Sequence, residues 1–287
     1  MMRIKPWAQM PTEWITDARI TEFKWTSDGS AGTAALMLFF VLCQCVSDRR
    51  LRTIENEPVV IDQLAANAIV SPYAQHLSTD VVSEIDAHVA ALAGVDLDGA
   101  QPAIVEAVAH LTYDEFGDLT GLSRHSISVG LKLLEARGMI RRYSSTRSSE
   151  YVVTGLEPLK RWAKLPGRAL LSHAQTTFKP FAHFSLRSKI ELNALKLHYY
   201  YASVRNAQHA YSECTFETIH KKTGVAERDI TRANAFLINA GLMSRCGREE
   251  LEPGSQVYSA NRYYMEGYNG LFIQKAGAGS NASTARA

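Results

Sequence analysis

The stretch GLSRHSISVGLKLLEARGMIRR, residues 121–142, combines polar and basic side chains with a regular apolar pattern. Ile127, Leu131 and Leu134 recur at helical spacing and predict one buried stripe. Such a helix would present its remaining side chains to a partner. The polar side chains that fall largely off the stripe are Arg124, His125, Ser128 and Lys132. These groups donate hydrogen bonds or carry positive charge, so the chemistry that they suit is recognition of hydrogen-bonding and anionic surfaces.

Signals for helix ends place the elements that would position this helix. Thr112, followed three residues later by Glu115, predicts a capped short helix. Gly121 suits the left-handed backbone that ends such a helix, and Ser123 suits the N-cap of the next one. Because Gly138 then ends the longer helix, the sequence predicts a short helix, a tight turn and a longer helix.

The residues that follow, MIRRYSSTRSSEYVVTG, predict a β-hairpin with a polar, basic tip and an apolar return strand at 151–153. A helix fits the major groove of duplex DNA, where its first turns reach base edges, and a neighbouring hairpin can contact phosphates. Between residues 123 and 149 six basic residues stand against one acidic residue, a net charge of +5 that suits this role. The predicted DNA contacts are Ser123, Arg124, His125, Ser128, Lys132, Arg141, Arg142 and Arg147.

The same pattern occurs a second time. Residues 112–142 align without gaps with residues 215–245 at an offset of 103, and seven of the 31 positions are identical. An apolar segment precedes each copy, beginning near Trp25 and near Phe184, so the chain contains two related units. In the second copy the predicted DNA contacts are Arg228, Thr231 and Arg232.

The charge of the second unit leaves its role open. Residues 226–252 contain four arginines against five carboxylates, and Glu249, Glu250 and Glu252 stand near the expected hairpin tip. Because carboxylates repel phosphate, there are two interpretations. Either this hairpin stays off the DNA backbone, or the second unit mainly contacts protein.

A long acidic block interrupts the first unit. Residues 54–110 contain nine carboxylates and neither Lys nor Arg, whereas the rest of the chain has all 31 basic residues against 20 acidic ones (29 minus nine). Since the second unit has no counterpart to this block, we interpret it as an insertion. Its segments VVIDQLAANAIV and VVSEIDAHVAALAGV are apolar enough for a paired surface, so we expect a homodimer formed through the insertion.

Between the units, the segment LKRWAKLPGRALL contains Lys160, Arg161, Lys164 and Arg168. It predicts either a solvated linker helix or a basic strap that lies across the DNA backbone. The linker helix is the simpler interpretation.

The turn, helix, glycine and hairpin that occur twice resemble the recognition helix and wing of winged-helix DNA-binding domains. The resemblance implies an α+β fold, mainly α with small β-hairpin wings, in which two winged-helix domains stand in tandem. The expected boundaries are an N-terminal arm at 1–28, a first domain at 29–155 with the insertion at about 54–110, a basic linker at 156–183, a second domain at 184–270 and a disordered tail at 271–287.

This architecture is similar to that of the plasmid replication-initiator family, whose tandem winged-helix domains bind repeated origin sequences. The resemblance rests on the two stretches LTGLSRHSISVGLKLLEARGMI and KTGVAERDITRANAFLINAGLM. The resemblance implies a sequence-specific double-stranded DNA-binding protein of a plasmid or other mobile element, and not an enzyme. Two other hypotheses stay open. One is a transcription regulator that binds an operator as a homodimer, and the other is an adaptor whose second unit and acidic block bind proteins.

Catalysis and cofactor binding have no support in the sequence. No set of histidines, cysteines or carboxylates has metal-ligand or triad spacing, and no phosphate-binding glycine loop is present. The N-terminus lacks the apolar core of a signal peptide, and no apolar run reaches the length of a membrane span. We therefore expect a cytoplasmic protein, associated with the nucleoid or a plasmid, without a membrane partner.

Overall fold

A computed structural model describes residues 4–53, 103–144, 149–157, 160–174, 176–205, 209–247 and 260–268. Most of the predicted acidic insertion lies outside these residues, and so does the homodimer surface expected on it. The tip of the first hairpin, which includes Arg147, and the C-terminal tail also lie outside them. Within the described residues the chain is α+β, as predicted.

The first half of the chain contains a short N-terminal segment and the first unit. The segment consists of β1 (Trp7–Pro11), α1 (Glu13–Thr16) and a 3-10 helix (Arg19–Glu22). The first unit consists of α2 (Trp25–Gln44), β2 (Val46–Thr53), β3 (Ala103–Leu111), α3 (Tyr113–Thr120), α4 (Arg124–Ala136), β4 (Ile140–Ser144) and β5 (Ser149–Val153).

The second half begins with β6 (Trp162–Pro166) and two 3-10 helices (Arg168–Leu170 and Lys179–His183). The second unit follows. It consists of α5 (Lys189–Val204), β7 (Ser212–Cys214), α6 (Phe216–Thr223), α7 (Glu227–Asn239), β8 (Met243–Gly247) and β9 (Asn261–Met265). Apart from the additional strand β2, the two units share one order: a long helix, a strand, a short helix, a longer helix and two strands.

Each unit contains a small antiparallel sheet with the same connectivity. In the first unit β3 pairs with β5, and β5 pairs with β4. In the second unit β7 pairs with β9, and β9 pairs with β8. The order predicted from the sequence is a helix, a short helix, a longer helix and a hairpin. It does not include β3 and β7, which lie directly before the short helices.

Strand β3 also corrects the expected end of the acidic insertion. Residues 103–110 were expected to belong to the insertion, but they lie in β3, in which 103–109 pair with β2 and 107–111 pair with β5. The expected boundary follows from the lack of Lys and Arg alone. That pattern does not distinguish a solvated acidic segment from a sheet strand such as AIVEAVAHL, which also contains neither Lys nor Arg.

The basic linker contains a strand where a helix was expected. Strand β6 pairs with β1 in an antiparallel ribbon, in register from Trp7 opposite Pro166 to Pro11 opposite Trp162. Pro166 has no backbone N–H to donate and disfavours helical backbone in the residue before it, so a helix cannot continue through this segment. The same pairing makes the expected N-terminal arm an integral part of the fold.

The helix-end signals of the first unit are confirmed. The Thr112 hydroxyl accepts a hydrogen bond from the Glu115 backbone N–H, and the Glu115 carboxylate accepts one from the Thr112 N–H, which completes the capping box. Gly121 has φ 74°, in the left-handed region, at the end of α3. The Ser123 hydroxyl accepts a hydrogen bond from the backbone N–H of Ser126 at the start of α4.

Close helix packing builds the core. Helix α4 crosses α2 at Gly130, where an added Cβ would lie 2.7 Å from Leu38 Cδ1 and 3.0 Å from Ala35 N. Only a residue without a side chain allows this approach. Helix α5 of the second unit packs on the other side of α2, and the Tyr199 hydroxyl donates to the Leu36 carbonyl at 2.6 Å. The two units therefore share one hydrophobic core.

Helix α2 is the single helix among the described residues that is long and apolar enough to cross a membrane. In this structure 67% of its most apolar 18-residue stretch is buried inside the protein. Its apolar side chains lie between α4 and α5, which is the position of a central core helix.

The buried histidine of α5 predicts acid sensitivity of the fold. His198 is fully buried against Phe40 and Tyr199, and its ring nitrogens have no hydrogen-bond partner among the described residues. Burial lowers the pKa of His198 from 6.5 to about 3. As the pH falls below 6.5, the unfolded chain binds a proton here that the folded chain does not, so stability decreases.

We expect His198→Leu to remove this loss. The free energy of unfolding of the variant minus that of wild type should grow by on the order of 2 kcal/mol as the pH is lowered from about 7.5 to about 5. Urea unfolding at both pH values measures the difference, and His173→Leu, at an exposed position, is the control. A difference that does not change with pH would show that His198 is not held neutral.

Candidate nucleic-acid interface

The polar face of α4 is exposed, and the apolar stripe is buried. Ile127, Leu131 and Leu134 are at most 2% exposed and face the core. The predicted contacts Ser123, Arg124, His125 and Lys132 are exposed, and Ser128 is partly exposed. One face of the helix, beginning at its N-terminal turn, is therefore available to a partner.

The basic groups on this face are weakly held. Arg124 Nη2 lies 2.7 Å from Asp114 Oδ1, but both side chains are about three-quarters exposed, at 73% and 76%. Exposed pairs of this kind contribute little to stability, so a phosphate or a base edge can replace the carboxylate. In the part of the chain that the structure describes, His125 and Lys132 have neither an ion-pair nor a hydrogen-bond partner.

Arg141 of strand β4 has a different environment. Its Nη2 lies 2.8 Å from Oε1 of Glu106, whose side chain is fully buried in β3. Arg50 of β2 contacts the other carboxylate oxygen of Glu106 at 3.2 Å and also contacts Glu150 at 3.0 Å. The hydrogen bond to Glu106 is the main reason that the pKa of Arg50 is raised. This network links all four strands, so Arg141 anchors β4, and only part of its guanidinium group is open to another ligand.

Arg142 lies on the other face of β4, next to aromatic rings. Its guanidinium carbon lies 5.8 Å from the ring centre of Tyr113 and 5.9 Å from that of Tyr151. Its Nη2 donates to the Ser149 hydroxyl at 3.2 Å, across the base of the hairpin. These contacts place the positive charge of Arg142 beside the hairpin of β4 and β5. Arg147 lies at the tip of this hairpin, outside the described residues.

Arg137 must be removed from the count of basic residues on this surface. Its Nη2 lies 2.6 Å from Asp28 Oδ2, with side chains 13% and 8% exposed. The guanidinium carbon also lies 3.8 Å from the ring centre of Phe23. The net charge of +5 that the sequence suggests for this region therefore overstates the positive charge that a phosphate would meet.

The equivalent helix of the second unit is also exposed on its polar side. Arg228, Thr231 and Arg232 are exposed on α7. The first turn of α7 contains two acidic residues, Glu227 and Asp229. Asp229 is largely buried and pairs with Lys189 at 2.8 Å, whereas Glu227 is exposed. The surface of α7 thus has mixed charge, and the carboxylates expected at the tip of its hairpin lie outside the described residues.

Two residues of the site were missed in the sequence, Arg50 and Glu106. They are positioning residues, because they hold Arg141 in place. They come together only when β2 pairs with β3, because Arg50 lies opposite Glu106 in the register of these strands and the two residues are far apart in the sequence. Sequence spacing alone cannot reveal such a pair.

No family model, curated protein or solved structure matches the chain.

The network around Glu106 predicts that Arg141→Ala lowers the stability of the fold as well as any affinity for DNA. Loss of one partner from a buried carboxylate that keeps other contacts should cost about 1 kcal/mol, since the arginine is partly exposed and screened by solvent. Urea unfolding measures this cost. Glu106→Gln in the same background should recover part of it, because a neutral amide is easier to bury than a charge.

Lys132→Ala is the matched control for this experiment, because Lys132 is basic and exposed and has no such partner. Its stability should stay within about 0.5 kcal/mol of wild type. If Arg141→Ala is as stable as Lys132→Ala, Arg141 does not anchor β4.

Proposed function

We propose that this chain is a sequence-specific double-stranded DNA-binding protein composed of two winged-helix domains in tandem. The observation that carries the proposal is α4: a capped helix after a tight turn, with an exposed polar and basic face and a hairpin directly behind it. This is the arrangement with which a helix-turn-helix protein places a recognition helix in the major groove.

The fold supports the tandem arrangement. Both units have a long helix, a strand, two helices that meet at a left-handed glycine, and two final strands. In both, the strand before the short helix pairs with the last strand. A hairpin behind the second of two such helices is typical of a winged helix, and the recurrence of this order supports the proposal of two such domains.

In the proposed complex the N-terminal turns of α4 enter the major groove. Arg124 and His125 stand in the first turn, and the groove of B-form DNA is wide enough to admit a helix. Ser128 and Lys132 follow one and two turns later on the exposed side. The wing then lies beside the backbone, where Arg142 and Ser149 can contact phosphates.

The more specific proposal is a replication-initiator-like role on a plasmid or other mobile element. Tandem related domains fit a target with repeated sequence elements, because each domain can contact one element of the repeat. The mixed charge of α7 indicates that the second unit contributes less phosphate contact than the first. Footprinting on duplexes selected from a random pool tests this role: several direct repeats support it, and one inverted repeat at a promoter would support a transcription regulator instead.

We expect Arg124→Ala to weaken binding to the selected duplex by about 1–3 kcal/mol and to relax the base preference at one position. The reason is the loss of a base-edge contact from an exposed side chain that does not support the core. Fluorescence anisotropy with the selected duplex and with single-base variants measures both effects.

Arg187→Ala is the matched control, since Arg187 is also exposed and lies before α5, outside α4 and its hairpin. Binding by this control should equal that of wild type. If Arg124→Ala binds the selected duplex as wild type does, α4 is not the reading helix.

A further inference from the structure

The ribbon of β1 and β6 lies across both units and presents aromatic side chains on its outer face. Its inner face is buried, with Met10 and Leu165 at 0% exposure, against α2 of the first unit and α5 of the second. Because side chains alternate along a strand, Trp7 and Trp162 project from the opposite face. The ribbon is thus anchored by one face, and on its other face Trp162 is exposed while Trp7, Gln9 and Lys164 are partly exposed.

The two tryptophans form a parallel stack at the surface. Their ring centres are 5.5 Å apart and their planes differ by 3°. Trp162 is 43% exposed, the highest value for a large hydrophobic side chain among the described residues. Trp7 stacks on one face of the Trp162 indole, and a large part of the Trp162 side chain stays open to solvent. The core does not require this exposure, because the inner face of the ribbon already supplies its packing.

The surroundings of this stack are basic. The two segments that form the ribbon, 4–11 and 160–168, contain five basic residues and no acidic residue, and one of the five, Lys160, pairs with Glu13 at 2.9 Å. The Lys164 ammonium group lies 4.8 Å from the ring centre of Trp7. Lys5 and Arg161 are exposed, and Arg49 of β2 donates to the Gln9 side chain on the ribbon at 2.6 Å. An exposed indole within positive charge is the combination with which proteins bind unpaired nucleic-acid strands.

We propose that the outer face of this ribbon is a binding site for single-stranded DNA. One base stacks on the exposed face of Trp162, and the adjoining phosphates contact Arg161 and Lys5. The strand must be unpaired, because the faces of bases in a duplex are covered by their neighbours and cannot reach an indole. A purely apolar partner does not match the basic side chains of the ribbon, of which Lys160 pairs with a carboxylate.

The site shares no residue with the proposed duplex-reading surface of α4, so the two can be tested separately. A fluorescent oligo(dT) of about 15 nucleotides, longer than most single-fold binding sites, serves as the probe for the full-length protein. Its anisotropy is titrated beside that of the selected duplex. We expect the wild type to bind the oligonucleotide with an affinity that falls as salt increases.

We expect Trp162→Ala to weaken oligo(dT) binding by about 5- to 150-fold, the effect of losing one stacked base, and to leave duplex binding within about 2-fold of wild type. Trp162→Phe should retain most of the affinity, since it keeps an aromatic face. Arg161→Glu, which leaves the stack intact, should also weaken oligo(dT) binding. Conversely, Arg124→Ala should weaken duplex binding alone.

Trp25→Phe is the control for the loss of a tryptophan elsewhere, because Trp25 lies at the start of α2, outside the ribbon. Unchanged duplex binding shows that the Trp162 variants are folded. The proposal is overturned if the wild type does not bind oligo(dT) at low salt, or if Trp162→Ala and Arg161→Glu both bind it as wild type does. It is also overturned if Trp162→Ala lowers oligo(dT) and duplex binding equally, since the two sites would then not be separate.

Discussion

The buried ion pair between Asp28 and Arg137 is the constraint on which the arrangement of the units depends. It joins the first turn of α2 to the end of α4, at 2.6 Å and with little exposure of either side chain. Arg137 also donates to the Glu22 carbonyl at 3.0 Å and packs over the Phe23 ring. Leaving one partner of such a pair buried and unpaired typically costs 3–5 kcal/mol, so the end of α4 is firmly fixed.

The same short segment also holds the second unit. The Lys196 ammonium group of α5 donates to the Phe23 carbonyl at 3.0 Å. Burial lowers the pKa of Lys196 to about 8, and the nearby Arg137 acts in the same direction. A Cβ added at Gly224, in the turn before α7, would lie 3.5 Å from Thr21 Cβ. Residues 19–28 therefore contact both the end of α4 and the turn before α7, so one short segment links the two candidate reading helices.

What the sequence could predict follows the range of the interactions. Caps and turns depend on residues within one helical turn, so Thr112, Ser123 and Gly121 were identified correctly from the pattern. The state of an arginine depends on residues far along the chain. Arg137 pairs with a residue 109 positions away and Arg141 with one 35 positions away, and neither contact has a signal in local spacing. The pairing of β1 with β6 escaped prediction for the same reason.

Six of the seven identities between the two repeats lie at helix caps, in turns or in the core, and the seventh is Arg142, aligned with Arg245. Thr120 and Thr223 each donate to the carbonyl four residues earlier and accept from the N–H two residues later. Gly121 and Gly224 have φ 74° and 70°, and the paired isoleucines of α4 and α7 are buried. The first exposed position of each longer helix, by contrast, is Arg124 in one unit and Glu227 in the other. A carboxylate at this position is stabilised by the positive end of the helix dipole but repels a phosphate. The two units therefore present surfaces of different charge on the same backbone arrangement.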